Sequence, residues 1–230
     1  MDKQFLKVYQ IYFNENQKIS LDYIPVLNND CTLFFENDVV KSLIEKNDHL
    51  ETEYFGVVSY KLRHKLGYEM KNWSALPNIA NHSTKEFTPE LFETELKKHL
   101  PDVMSFQRHI GHDTVSFADN FHPNLSKYYK EIMNKIGYDW QPTSFKDVFY
   151  CNYFVAKSDI YERYVKEMLI PAMEVMKTMP ELMQNSNYPK QLPENLKQSF
   201  GVSHYTYHTF ICERFFSYFA HVHKLNCLHY

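Results

Sequence analysis

Apolar residues along the chain fall into short runs separated by polar segments, and the spacing within the runs alternates between strand-like and helix-like. Residues 5–13 are rich in β-branched and aromatic side chains, and residues 54–60 form a continuous apolar run. Both patterns are typical of strands, and the second of a strand buried on both faces. Residues 36–44 repeat apolar side chains at intervals of three and four, which predicts an amphipathic helix. The same reasoning predicts shorter strands over residues 21–27, 102–106 and 148–156.

Helix-start signals follow several of these runs. Thr88 is a good N-cap and Pro89 suits a first helical position, so a helix is predicted from there to about residue 100. Pro123 predicts a helix to about residue 136, and Ser158 is predicted to cap a long helix. Strands that alternate with helices indicate an α/β fold with a mostly parallel central sheet flanked by helices. We expect one domain over residues 1–230, with residues 184–230 mainly helical.

Composition narrows the classes of protein that fit. A length of 230 residues suits a single domain, and a net charge of -3 gives no overall attraction to nucleic acid or anionic lipid. No apolar stretch approaches the ~18 residues of a membrane helix, and the N-terminus lacks the pattern of an export signal. The cysteines lie far apart without a C-x-x-C pair, as in reduced thiols. The sequence therefore predicts a cytoplasmic protein with no membrane span and no nucleic-acid partner.

Common catalytic motifs are missing from the sequence. It contains no G-x-x-x-x-G-K-[ST], no G-x-G-x-x-G and no G-x-S-x-G. A P-loop NTPase, a dehydrogenase with the dinucleotide fingerprint and a serine hydrolase of the nucleophile-elbow type are therefore disfavoured.

Polar residues that follow the predicted strands are the first candidates for a binding site, because ligands of parallel sheets bind beyond the carboxyl ends of the strands. The segment 107–122 has neither helical nor alternating periodicity, so it is predicted to be a long loop, and such loops are often functional. Its histidines and carboxylates could hold a divalent metal or act as acid and base. These strand-end and loop candidates are Asn14, Asn16, Asn28, Asn29, Asp30, Ser59, Lys61, His109, His112, Asp113, Asp119 and His122.

Four further features each allow a structural and a functional interpretation. Asn152 lies in an apolar run, where its amide either bonds a neighbouring loop or faces a substrate. Glu213 and Arg214 are the charged pair of a very apolar run, so they either pair with each other or face a cleft. Lys61, Arg63 and Lys65 could contact a diphosphate, although such a spacing is more typical of a solvated face. His204 and His208 share a face of a predicted helix and could be ligands, but histidines at that spacing are more often packed or surface residues.

The order of several of these segments resembles small bacterial and phage glycosyltransferase-like proteins, which are related to enzymes of surface-polysaccharide synthesis with a GT-A-like fold. The residues that carry the resemblance are Ile24 to Asn29, Tyr54 to Lys61, Asp102 to Phe106, His122-Pro123, Tyr150 to Lys157 and Cys212 to Phe216.

The resemblance implies transfer of a sugar from a nucleotide-diphosphate donor to a saccharide or other hydroxyl acceptor. It implies that Asn28, Asn29, Asp30, the segment from Gly56 to Lys61 and Asn152 line the cleft, with Glu213 and Arg214 near its floor. GT-A enzymes commonly hold a divalent metal through Asp-x-Asp, and this sequence contains no such motif. A metal cofactor is therefore neither required nor excluded, and no metal ligand is assigned.

Sugar transfer with inversion needs a base for the acceptor and a positive charge for the leaving diphosphate. Asp113, Asp119 or His112 could be the base, and Lys61, Lys65 or Arg214 could supply the charge. Two other functions are compatible with the sequence. One is a non-catalytic sugar- or protein-binding relative of the same fold, and the other is a metallohydrolase that uses the loop from His109 to His122.

Overall fold

A six-stranded mixed sheet forms the centre of the computed structural model, which describes residues 3–13, 17, 23–28, 32–59, 62, 88–105, 114–149 and 152–229. The strand order is β2-β1-β3-β5-β4-β6. The strands are β1 (Gln4–Tyr12), β2 (Ile24–Leu27), β3 (Thr52–Ser59), β4 (Val103–Ser105), β5 (Phe154–Lys157) and β6 (Cys227–His229).

The directions of the strands confirm the α/β class and bear out a mostly parallel sheet only in part. Strand β1 is parallel to both β2 and β3, and β6 is parallel to β4. Strand β5 lies between β3 and β4 and is antiparallel to both. The carboxyl ends of the other five strands therefore meet the amino end of β5 at one edge of the sheet.

The two faces of the sheet contact two separate groups of buried side chains. The larger cluster includes Ile11, Val57 and Phe154, and the smaller includes Val8, Val58 and Val155. These residues alternate along their strands, as the two faces of a pleated sheet require. Helices that contribute to the larger cluster are α1 (Glu36–Glu45), α3 (Thr114–Ala118), α4 (Leu125–Lys135), α5 (Ser158–Tyr164), α6 (Ile170–Lys177), α8 (Tyr207–Cys212) and α9 (Phe215–Val222).

The smaller cluster is covered by α2 (Pro89–His99), which buries Phe92 and Leu96. Its predicted start is confirmed, since the Thr88 hydroxyl accepts a hydrogen bond from the Leu91 N–H and Pro89 occupies the first turn. The remaining described elements are a short α-helix, α7 (Glu194–Phe200), and two 3₁₀ helices over Asp48–Glu51 and Pro180–Met183. No described helix is both long enough and apolar enough to cross a membrane.

The predicted long helix after β5 is present, but Ser158 does not cap it. Helices α5 and α6 are joined by a π-helical turn over Val165–Leu169, so the helical path continues to Lys177. The Ser158 hydroxyl instead donates a hydrogen bond to the Thr52 carbonyl at 2.8 Å. This bond fastens the start of the helix to the amino end of β3.

Three other predictions are wrong, and the helical C-terminal part is confirmed only in part. The strand predicted over residues 148–156 begins only at Phe154, because the Ser217 hydroxyl bonds both the N–H and the carbonyl of Phe149. The segment predicted as a loop to residue 122 contains α3. Within residues 184–230 three helices occur, but the segment ends in strand β6, and His204 precedes α8 rather than sharing a helix with His208.

Candidate functional site

The sheet topology points to one edge as the place for a ligand. After β1 the chain places β2 on one side of it and then β3 on the other, so the strand order reverses at β1. In open α/β sheets ligands bind beyond the carboxyl ends of the strands at such a reversal. Here the reversal lies at the ends of β1 and β3, where the buried Gln10 amide donates to the Ser59 carbonyl at 3.4 Å.

Asn28 and Ser59 lie at this edge, as the sequence predicts. Tyr12 pairs with Leu27 and Ile11 pairs with Ser59, so β2 and β3 end at nearly the same level on the two sides of β1. Asn28 comes two residues after Val26, and Ser59 comes two residues after Val57. Val57 belongs to the larger cluster and Val26 packs against it. The alternation of strands therefore places both polar side chains on the face that carries the larger cluster.

The Asn28 amide is held on one side only. Asn28 is 3% exposed, and its Nδ2 donates to the Phe35 carbonyl at 3.1 Å. Its Oδ1 is buried and has no hydrogen-bond partner. Phe35, just before α1, has φ 51°, a backbone conformation that costs a non-glycine residue about 1–3 kcal/mol. Strain and an unmet acceptor thus occur together at the end of β2.

Asn152 lies at the same edge, two residues before the antiparallel strand β5. It is 8% exposed, and its amide makes no hydrogen bond to any described residue. Phe149, three residues before it, and Phe154, two residues after it, both pack against Phe216. Their ring centroids lie 4.9 and 3.7 Å, respectively, from that of Phe216. The contact with Phe216 places the start of α9, and with it Arg214, on the same side of the sheet.

Arg214 is a buried cation whose hydrogen-bonding capacity is only partly used. Its side chain is 8% exposed, and its Nε donates to the Thr114 carbonyl at 3.2 Å. Its Nη1 donates to the Phe210 carbonyl and lies 3.8 Å from Glu213 Oε2. A guanidinium has five N–H groups, so three remain without an acceptor among the described residues. Pairing with Glu213 is therefore present but incomplete.

His122 is fixed beside Arg214. Its Nδ1 lies 2.7 Å from the Ser186 carbonyl, which can only accept, so the imidazole carries its hydrogen on Nδ1. The ring stacks on Phe210 with centroids 4.0 Å apart. Burial lowers the pKa of His122, Arg214 lowers it further, and the Ser186 bond and Glu213 oppose the shift. The ring is thus neutral near pH 7, and its Nε2 has no partner among the described residues.

Thr114 adds a second unmet polar group. It is 1% exposed, and its Oγ1 is buried without a hydrogen-bond partner, while its carbonyl accepts from Arg214. A buried hydroxyl without a partner costs about 1–3 kcal/mol. Thr114, His122 and Arg214 therefore form a group of buried side chains with spare donors and acceptors, which we call the Arg214 cluster.

Aromatic contacts connect the Arg214 cluster to Asn28. Phe35 stacks on Tyr205 with centroids 5.8 Å apart, and Tyr205 lies 6.4 Å from Phe210. Phe210 in turn stacks on His122. Because Phe210 belongs to the larger cluster, the Arg214 cluster lies on the same face of the sheet as Asn28.

Asp119, a predicted base, has a structural role. Its Oδ1 accepts from the Ser126 N–H at 2.8 Å and its Oδ2 accepts from the Ser126 hydroxyl. These bonds cap the first turn of α4, where a carboxylate also interacts favourably with the helix dipole. The remaining predicted site residues, Asn29, Asp30, Lys61, Lys65, His112 and Asp113, lie outside the described residues, as do Asn14, Asn16 and His109.

Within the described part of the chain, no group of three or more histidine, cysteine, aspartate or glutamate side chains is arranged to hold a metal ion. His204 Nε2 donates to the Met183 carbonyl, and Thr206 bonds His208 Nδ1. Burial lowers the pKa of His208 to about 4. Both histidines are therefore packed residues, as expected.

Sequence reasoning did not single out Thr114, Gln10 or Ser186. Gln10 is a polar residue within an apolar strand, the same signal that marked Asn152. Thr114 directly follows His112 and Asp113, but nothing in the sequence reveals that its hydroxyl is unpaired. Ser186 contributes only its carbonyl, and no side-chain pattern predicts such a role.

Neither protein-family models, nor curated proteins, nor solved structures give a match to this chain.

Proposed function

We propose that the chain is a glycosyltransferase that moves a sugar from a nucleotide-diphosphate donor to a saccharide or other hydroxyl acceptor. The observation that carries the proposal is the buried, partly unpaired guanidinium of Arg214, on the face of the sheet that carries the larger cluster. A buried cation with spare donors is costly unless an anion completes its pairing. A diphosphate is an anion whose oxygens match the planar donors of arginine.

Two polar side chains elsewhere on the sheet suit the other parts of such a substrate. Asn28 follows the carboxyl end of β2, Asn152 precedes the amino end of β5 at the same edge, and their amides would bond the hydroxyl groups of a nucleotide or sugar. During transfer, negative charge develops on the leaving diphosphate, and a fixed guanidinium stabilises that charge without moving. Arg214 would therefore act in the transition state as well as in binding.

The test is binding and turnover with a panel of UDP-, GDP-, CMP- and dTDP-sugars. We expect one nucleotide-diphosphate sugar to raise the melting temperature of the protein. At a concentration of a hundred times its Kd, the bound ligand should raise the unfolding free energy by about 2.7 kcal/mol. Arg214→Met should abolish this shift and Arg214→Lys should weaken it, because lysine lacks the planar donor set.

Arg163→Met is the matched control, because Arg163 is half exposed and its Nε lies 3.5 Å from Glu167. Urea unfolding of each variant separates loss of binding from loss of folding. An absence of stabilisation by every nucleotide sugar would contradict the proposal. Binding without turnover of any donor would instead support a non-catalytic sugar-binding protein.

A further inference from the structure

We propose that His122 is the general base that removes the proton from the acceptor hydroxyl, an assignment that rests on the proposed transferase function. His122 stacks on Phe210, whose carbonyl accepts from Arg214 Nη1, so a proton acceptor and an anion-binding cation belong to one group of side chains. This is the pairing that transfer from a diphosphate donor requires, since a proton leaves the acceptor while charge builds on the leaving group.

The orientation of the ring supports this role. The bond from Nδ1 to the Ser186 carbonyl leaves the lone pair on Nε2, and the stacking on Phe210 fixes the ring plane. Ser186 is itself held in place, because its N–H and its hydroxyl both donate to the Tyr205 carbonyl, at 3.1 and 2.7 Å. A histidine whose one nitrogen is anchored to a carbonyl presents the other nitrogen in a defined direction.

The charges around the ring keep it in the form that a base needs. Among the described residues, the charged groups acting on His122 are Arg214, which disfavours the imidazolium, and Glu213, which favours it. Together with burial, the result is a pKa below the ordinary value, so the neutral ring persists as the pH falls slightly below neutral. Asp119 is less suited, since Ser126 already bonds both of its oxygens.

The reaction that follows is a single displacement. The acceptor oxygen forms a bond to the anomeric carbon while its proton passes to His122 Nε2. The bond from the anomeric carbon to the diphosphate oxygen breaks, and the nucleoside diphosphate leaves with the electron pair. His122 then releases its proton to solvent, and the anomeric configuration is inverted.

The test uses His122→Asn, because the asparagine Nδ2 can still donate to the Ser186 carbonyl while Nε2 is lost. The matched control is His204→Gln, since His204 donates through Nε2 to the Met183 carbonyl at 2.8 Å and lies outside the proposed mechanism. We expect His122→Asn to keep the donor-induced stabilisation, lose about 100-fold or more in transfer rate, and lose the decline of rate at low pH. His204→Gln should keep the wild-type rate and pH profile.

A second measurement does not depend on the variant. In the wild-type protein, ¹⁵N NMR of the histidine side chains should find His122 as the neutral Nδ1–H tautomer, with a pKa below that of a free histidine. An Nε2–H tautomer, a wild-type rate in His122→Asn, or a product of retained configuration would each overturn the assignment while leaving donor binding intact. If wild-type protein binds no nucleotide sugar, the proposed function fails first and the base role with it.

Discussion

The two ends of the central sheet differ in whether their polar groups have hydrogen-bond partners. At the end where β3 begins, the Ser158 hydroxyl donates to the Thr52 carbonyl and the Tyr54 hydroxyl donates to the Pro101 carbonyl. Lys157 pairs with Asp102 at 2.8 Å, and the other oxygen of that carboxylate accepts from the Asn226 N–H. At the opposite end, Asn28 Oδ1 is buried without a partner, and so is Thr114 Oγ1 in the Arg214 cluster on the same face of the sheet.

The difference distinguishes polar groups that stabilise the fold from polar groups that are available to a ligand. The polar groups named at the first end bind one another and join β3, β4, β5 and β6, so their hydrogen bonds and charges are paired within the fold. Those at the second end retain unused donors and acceptors although they are buried, which costs stability unless a ligand supplies the partners. His49, just before β3, is an exception at the first end, since it is fully buried and its Nδ1 has no hydrogen-bond partner. The contrast therefore supports the candidate site without identifying it alone, and the predictions below test it.

The largest expected effect concerns Phe216, which joins the C-terminal helices to the sheet. Its ring stacks on Phe154 at 3.7 Å and is 2% exposed. Phe216→Ala should lower the free energy of unfolding by about 3–5 kcal/mol, because it leaves a cavity between α9 and β5. Phe216→Leu fills most of that space and should cost clearly less. Equal losses in urea unfolding of the two variants would show that packing at this contact does not hold α9.

Gly56, in the middle of β3, comes next in size. A Cβ at this position would lie 2.5 Å from Val155 Cγ1 and 3.2 Å from the Phe154 carbonyl oxygen. Gly56→Ala should therefore cost about 1–3 kcal/mol of unfolding free energy. Adding Val155→Ala removes the clashing methyl, so the double variant should lose less than the sum of the single losses. Strict additivity would contradict the proposed clash.

Gly56 also shows where the resemblance to glycosyltransferase-like proteins misplaces a residue. That resemblance puts the segment from Gly56 to Lys61 in the cleft, but Gly56 pairs with Val8 and Val155 inside the sheet. Ser59, three residues on, does reach the edge. Strand positions were predictable from the apolar runs, because local periodicity reports burial directly.

Long-range hydrogen bonds account for most of what the sequence did not predict. The run at residues 148–156 is apolar throughout, yet Ser217, 68 residues later, binds the backbone of Phe149 and removes it from the strand. In the site, the candidates Asn28, His122 and Arg214 came from residue type and position. Their anchors at Phe35, Ser186 and Thr114 are main-chain carbonyls, which carry no signal in the sequence.

Asp102 tests the paired end of the sheet. Burial alone would raise its pKa, but the hydrogen bonds from Lys157 and the Asn226 N–H and the charge of Lys157 outweigh burial and lower the pKa below its ordinary value. A carboxyl with a depressed pKa stabilises the fold above its unfolded pKa, and that contribution is lost as the pH falls through the folded value. Asp102→Asn should therefore cost about 1–2 kcal/mol at pH 7 and less at about pH 3.

Glu131→Gln is the control for Asp102→Asn, since Glu131 pairs with Lys135 at 2.8 Å on an exposed helix face. Its loss should stay below about 0.5 kcal/mol. Urea unfolding at both pH values measures these differences. A cost for Asp102→Asn that does not change with pH would show that its charge contributes nothing to the paired end.

The smallest expected effects come from comparing a buried hydroxyl that has a partner with one that has none, through the variants Ser158→Ala and Thr114→Val. Ser158→Ala removes a hydroxyl that is bonded to the Thr52 carbonyl and should cost about 1 kcal/mol. Thr114→Val removes a buried hydroxyl without a partner and keeps the shape, so the unfolding free energy should stay the same or rise slightly. Nucleotide-sugar titrations should reverse the order, because only Thr114 lies in the Arg214 cluster. If Thr114→Val is as costly as Ser158→Ala in the ligand-free protein, the Thr114 hydroxyl has a partner within the fold, and it no longer counts as a group held for a ligand.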